Sequence, residues 1–139
     1  MASKKSAFMF ILCAALLITV IFGLSSPEKR AAGFVERNGD AFAELVRSNQ
    51  VIPSTWGKQT IEIWDEEHLM YEFVLGHGFG DKQYWGVYYS PDDVPLPFQN
   101  TDIQLSATDK NSWVWQSDGD NHGKTKKITD RWYYFEASF

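Results

Sequence analysis

The chain has 139 residues, a formal net charge of −5 and a single cysteine, Cys13. One cysteine excludes a disulfide framework, so any folded part must rest on core packing. Beyond Leu24, 11 basic residues stand against 18 acidic ones, about −7, which disfavours nucleic acid or anionic lipid as partners of that part.

Residues Ala7–Leu24, AFMFILCAALLITVIFGL, contain no charge. As a helix they reach about 27 Å, close to the roughly 30 Å of a bilayer's hydrocarbon core. The expectation is a short cytoplasmic leader (1–6), a transmembrane anchor (7–24) and a C-terminal domain outside the cell. Lys4 and Lys5 precede the anchor, and Lys29 and Arg30 follow it. That contrast is slight, and the orientation rests on a leader too short to hold a domain. The alternative is a cleaved signal peptide, for which Gly23-Leu24-Ser25 offers a small-x-small site. The apolar run exceeds the usual h-region of about 7–15 residues, which favours a retained anchor.

Residues 25–50 read as a juxtamembrane amphipathic helix. Ser26 suits the N-cap and Pro27 the first turn. Phe34, Ala41 and Leu45 recur at helical spacing, as do Val35, Phe42 and Val46. Asn38-Gly39 is the one place where this helix could break.

Residues 51–139 turn to a period of two. Strands are expected at Thr60–Trp64, Leu69–Leu75, Tyr84–Ser90, Ile103–Ala107, Ser112–Gln116, Lys124–Thr129 and Trp132–Ala137. Short turns between neighbours imply an antiparallel meander, with Ser90–Pro97 as the only long crossing. Lys124, Lys126 and Lys127 look like a guarded sheet edge. The class is therefore α+β: an N-terminal transmembrane helix, then one amphipathic helix on a six- to seven-stranded antiparallel meander, with 25–139 as one unit. Such a layout is similar to cystatin-like and NTF2-like folds, and a likeness of that kind carries no activity.

Aromatic residues number 17 between Trp56 and Phe139, too many for one face of a sheet under one helix. Trp85, Tyr89, Trp113, Trp115, Trp132 and Tyr134 are accordingly candidate ligand-binding rings on an open face. Gly76-His77-Gly78-Phe79-Gly80 is followed by another strand, so it reads as a hairpin with left-handed glycines and not as a phosphate cradle. Asp118, Asp120 and His122 open like a calcium loop, but Thr129 stands where a bidentate Glu belongs. Glycan hydrolysis would need two carboxylates across a cleft, and Glu62 with Glu72, Asp92 with Asp93, or Asp118 with Asp120 are nominal pairs. No familiar acyl-transfer motif occurs, and no cofactor is implied.

Three stretches carry a resemblance: Tyr88-Tyr89-Ser90-Pro91-Asp92-Asp93-Val94-Pro95, Asp120-Asn121-His122-Gly123, and Trp132–Phe139. Together they resemble small single-anchor membrane proteins of Gram-positive bacteria, a family without an assigned activity. The resemblance implies a cell-surface setting and supplies no substrate, cofactor or catalytic residue. The expected function is a membrane-anchored, non-enzymatic module binding a protein or an envelope glycan. A small envelope hydrolase using a carboxylate pair, and a structural accessory of a membrane complex, are the alternatives.

Overall fold

The computed structural model describes residues 26–78 and 82–139. The expected leader and anchor lie outside the described residues. Among those described, no helix is long and apolar enough to cross a membrane.

Helix α1 spans Pro27–Arg47. Ser26 Oγ accepts the Lys29 amide at 3.3 Å, and Pro27 takes a first-turn place where its missing N–H costs nothing. The helix runs unbroken through Asn38-Gly39, for a tertiary reason. Asn38 Nδ2 donates back to the Phe34 carbonyl at 2.8 Å, and its Oδ1 accepts the Trp56 indole N–H at 3.2 Å. Gly39 is buried under Trp132, whose indole a Cβ there would meet at 3.2 Å. Ser48 caps the C-terminus by donating to the Glu44 carbonyl at 2.8 Å, and Asn49 turns left-handed at φ 52°. The helix therefore ends three residues before the expected boundary, and Ala41 faces solvent.

Eight strands follow: β1 (Thr55–Trp56), β2 (Gln59–Asp65), β3 (Leu69–His77), β4 (Gln83–Tyr89), β5 (Ser106–Asp109), β6 (Ser112–Gln116), β7 (His122–Thr129) and β8 (Trp132–Ser138). All neighbours are antiparallel, in the order β1-β2-β3-β4-β8-β7-β6-β5. Two four-stranded meanders thus meet along β4 and β8, with residues 90–105 joining them. The expected six or seven strands miss β1, a two-residue strand too short to show periodicity. The expected strand at Ile103–Ala107 starts at Ser106 instead, because Ile103 and Leu105 are spent on packing.

The lysine strand is not an edge. β7 lies between β6 and β8, and the outer strands are β1 and β5. Its lysines act as latches on both faces. Lys124 and Lys126 reach Glu28 in the first turn of α1, at 3.4 and 2.9 Å. Lys127 reaches Asp93 on the opposite face at 2.6 Å.

One face of the sheet packs under α1. Phe42 is fully buried, and its ring lies 5.0–5.9 Å from the rings of Trp56, Tyr71, Phe73, Tyr89 and Trp132, all tilted or edge-on. The other face carries a second core of Met70, Tyr88, Trp115, Tyr133 and Phe135. Val94, Leu96, Phe98, Ile103 and Leu105 of the 90–105 connection cover it. A chain segment does here what a second helix layer does elsewhere.

That strap is fastened by buried polar contacts. The Tyr88 hydroxyl accepts the Leu96 N–H at 2.8 Å and donates to the Leu96 carbonyl at 3.1 Å. Thr125 Oγ1 donates to the same carbonyl at 2.9 Å. Asp93, left-handed at φ 56°, accepts from the Arg131 amide at 2.8 Å and the Tyr133 hydroxyl at 2.9 Å. Burial raises the Asp93 carboxyl, but Lys127, the Arg131 amide and Tyr133 outweigh it and hold the group below the usual range.

Tyr88→Phe leaves the buried Leu96 N–H without a partner, so it should cost about 1–3 kcal/mol in urea unfolding. Thr108→Ala removes an exposed bond from the β5–β6 hairpin and should change stability by less than about 0.5 kcal/mol. Equal effects would mean that the strap is not held where Tyr88 grips it.

Candidate functional site

β2 and β3 place Glu62 directly opposite Glu72, with Trp64 opposite Met70. Cross-strand partners stand about 4.5–5.5 Å apart at Cβ, so the two carboxylates share one patch of the strap-covered face. Here the strap makes its tightest turn. Gln99 and Asn100 are left-handed, at φ 56° and 43°, and Asn100 Nδ2 donates to the His68 carbonyl. Non-glycine residues hold such angles only where the surroundings over-determine them. The turn seats Phe98 between Tyr84 (6.4 Å between centroids, planes 19° apart) and Phe139 (5.2 Å). A cleft of about 600 Å³ opens between Glu62, Glu72 and the rings of Trp64, Tyr84, Phe98 and Phe139.

The two carboxyls differ in kind. Glu62 faces solvent, whereas Glu72 is 2% exposed. Among the described residues Glu72 Oε2 has no hydrogen-bond partner, and neither has the buried Trp64 indole N–H. Burial pushes the Glu72 carboxyl up to about 7. The Gln99 amide and Trp64 indole lie close enough to pull it back in part, although the indole does not reach Oε2 in hydrogen-bond geometry, while the charge of Glu62 pushes further up. Near neutral pH this carboxyl therefore exchanges between a hydrogen-bond donor and an acceptor.

The three nominal pairs differ in their surroundings. Glu62 and Glu72 meet in a concavity. Asp93 is consumed by the strap fastening, and Asp92 lies 3.7 Å from His68 at the surface. Asp118, Asp120 and His122 do not assemble as a metal site. His122 Nδ1 approaches the Asp120 carbonyl at 2.6 Å, all three side chains are exposed, and no group of three His, Cys, Asp or Glu side chains among the described residues could hold a metal ion.

The expected open face of rings is covered. Trp85, Tyr89, Trp115, Trp132 and Tyr134 are buried, and only Trp113 is part-exposed. Glycines across the strands explain two of them. Gly76 pairs with Trp85 and Gly123 with Trp115, and a Cβ at either glycine would meet the facing indole at 2.5 Å. Each tryptophan lies flat over a position that has no side chain. Gly76 and Gly78 are thus not the left-handed glycines expected of the β3–β4 turn. Among the described glycines only Gly57 and Gly119 have positive φ. The rings that line the cleft are Trp64, Tyr84, Phe98 and Phe139, which periodicity does not single out. The signal that could have pointed to them is Glu72 itself, a lone carboxylate within Met70–Leu75.

The chain matches no protein-family model, no curated protein and no solved structure.

Glu72 holds its proton to about 7 in the fold, against 4.5 for the free side chain. Its stabilising contribution is complete below pH 4.5 and is lost as pH rises through about 7. The difference amounts to roughly 3 kcal/mol. Glu72→Gln copies the protonated form, so at pH 8 it should be more stable than the native chain by about 2–3 kcal/mol. Urea unfolding at pH 5 and pH 8 checks this, and an unchanged gap between the two proteins would contradict it.

Proposed function

We propose that this protein is a membrane-tethered domain outside the cell that holds an envelope glycan in the Glu62–Glu72 cleft. The tether is supported by the uncharged run at residues 7–24, and the outward placement by Lys4 and Lys5 in front of it. The observation that carries the ligand class is the buried, unpartnered oxygen of Glu72 beside aromatic walls. An orphaned carboxyl oxygen costs stability unless something satisfies it. Sugar hydroxyls supply the missing donors, and the apolar faces of sugar rings stack on indole and phenyl rings. Function moves from the strand faces, where the rings are core, to the mouth of the cleft.

One specific feature favours a second reading, hydrolysis. A buried carboxyl with a raised pKa next to a solvent-facing one is the arrangement of a general acid with a nucleophile or base. Retaining glycosidases place these groups about 5–5.5 Å apart, which directly opposed residues on paired strands can match.

Purified peptidoglycan sacculi and chitin serve as probes, with the full chain kept in neutral detergent micelles. Binding should weaken about tenfold or more in Glu72→Gln and in Trp64→Ala. Lys110→Gln, on the remote β5–β6 turn, should bind as the native chain does. Release of reducing ends by the native chain, lost in both Glu62→Gln and Glu72→Gln, would favour hydrolysis over binding. Retention of neither probe, or retention indifferent to both cleft variants, would contradict the glycan reading.

A further inference from the structure

We infer that a groove beside the first half of α1 binds the phosphate headgroup of an anionic phospholipid. Lys29, Arg30 and Arg37 line a concavity of about 400 Å³ whose remaining wall includes Gln59, Leu75 and Trp85. All three cationic side chains are exposed. No carboxylate lines the groove, and among the described residues none of the three is in an ion pair. Four other cations are neutralised, Lys124 and Lys126 by Glu28, Lys127 by Asp93 and Arg47 by Glu44, and Lys58, Lys82, Lys110 and Arg131, in no ion pair among the described residues, lie outside this groove. In a chain of net charge −5, three unpaired cations converging on one hollow leave a local positive field that only an anion relieves.

The groove is built, not merely charged. The Arg30 guanidinium lies over the Trp85 ring, 4.7 Å from its centroid, which holds it in one orientation. Gly33 stands between Lys29 and Arg37 on the helix. A Cβ at Gly33 would come 3.2 Å from Arg37 Nη1, so the missing side chain lets Arg37 fold back along the helix. A planar guanidinium presented in this way matches phosphate oxygens two at a time.

The choice of a lipid follows from where the groove sits, and it rests on the tether reading. The uncharged run ends at Leu24, and α1 begins at Pro27. Three residues span at most about 10 Å, so Lys29 and Arg30 start within reach of the headgroup layer. A negatively charged surface attracts Lys and Arg at that range, and the attraction fades over a Debye length. Beyond Leu24 the acidic excess disfavours anionic lipid for the domain as a whole, which the same surface repels, and this groove is the local exception. The pair of effects orients the domain, with the groove toward the bilayer and the Glu62–Glu72 cleft left to meet the envelope.

The test uses the full chain in neutral detergent micelles doped with phosphatidylglycerol or phosphatidylcholine, with retained lipid counted by native mass spectrometry. The native chain should retain phosphatidylglycerol preferentially. Lys29→Gln, Arg30→Gln and Arg37→Gln should each reduce the preference about fivefold. Lys110→Gln should leave it intact. Equal retention of both lipids, or a preference that survives Arg30→Gln with Arg37→Gln, would overturn the inference. Loss of the preference to excess inorganic phosphate at constant ionic strength would overturn the lipid as occupant. A full chain that stays soluble without detergent overturns the tether, and with it the membrane partner. One that needs detergent yet shows no lipid preference overturns the groove alone.

Discussion

The grip of Tyr88 on the Leu96 backbone determines how much of this molecule can be buried. An eight-stranded sheet under a single helix has one face to spare, and most of its aromatic side chains would be wasted in water. The strap of residues 90–105 removes that problem, provided its own peptide groups are satisfied. Tyr88 accepts one Leu96 group and donates to the other, and its ring stacks on Tyr133 at 5.0 Å with planes only 7° apart. Asp93 pins the start of the strap to the β7–β8 hairpin. Two meanders that share only the β4–β8 border are thereby tied by a third connection.

The same strap creates the cleft. Its turn at Gln99 and Asn100 covers Glu72, and covering a carboxyl without giving it a full set of partners is unfavourable. A chain selected for stability alone would place an apolar residue there, since Met70 and Val74 on the same face are apolar. The retained carboxyl, the left-handed turn and the rings around them form one unit, and each is locally costly. Costly features gathered in one concavity are the pattern of a binding site. On the opposite face, Glu28 with Lys124 and Lys126 fixes the first turn of α1 to the sheet. Lys126 leads in holding the Glu28 carboxyl below its usual range.

Local signals in the sequence foretell the local structure. Ser26 and Pro27 mark the start of α1, the Phe34–Phe42 spacing marks its buried side, and alternation finds seven of the eight strands. What the sequence conceals is non-local. Nothing near Trp132–Phe139 says that β8 pairs with β4, so Lys124–Lys127 looks like an edge while it is interior. Nothing at Gly76 or Gly123 says which indole lies across the strand, so Trp85 and Trp115 read as free rings while they are core. Glu72 is named in the sequence only as one of three nominal pairs. Its burial comes from a strap 27 residues further on at Gln99, a contact that neither periodicity nor composition encodes.

The environment of one carboxyl group, Glu72, sets a stability cost and, in the function proposed above, the need for a ligand. The most direct measurement is a side-chain carboxyl titration by carbon NMR on the glutamate-labelled full chain, with Glu72 assigned by Glu72→Gln. A resonance that titrates near pH 7, and that moves when the strap is loosened by Phe98→Ala, is the predicted result. A Glu72 carboxyl that titrates near its free value of 4.5 is the contradicting result.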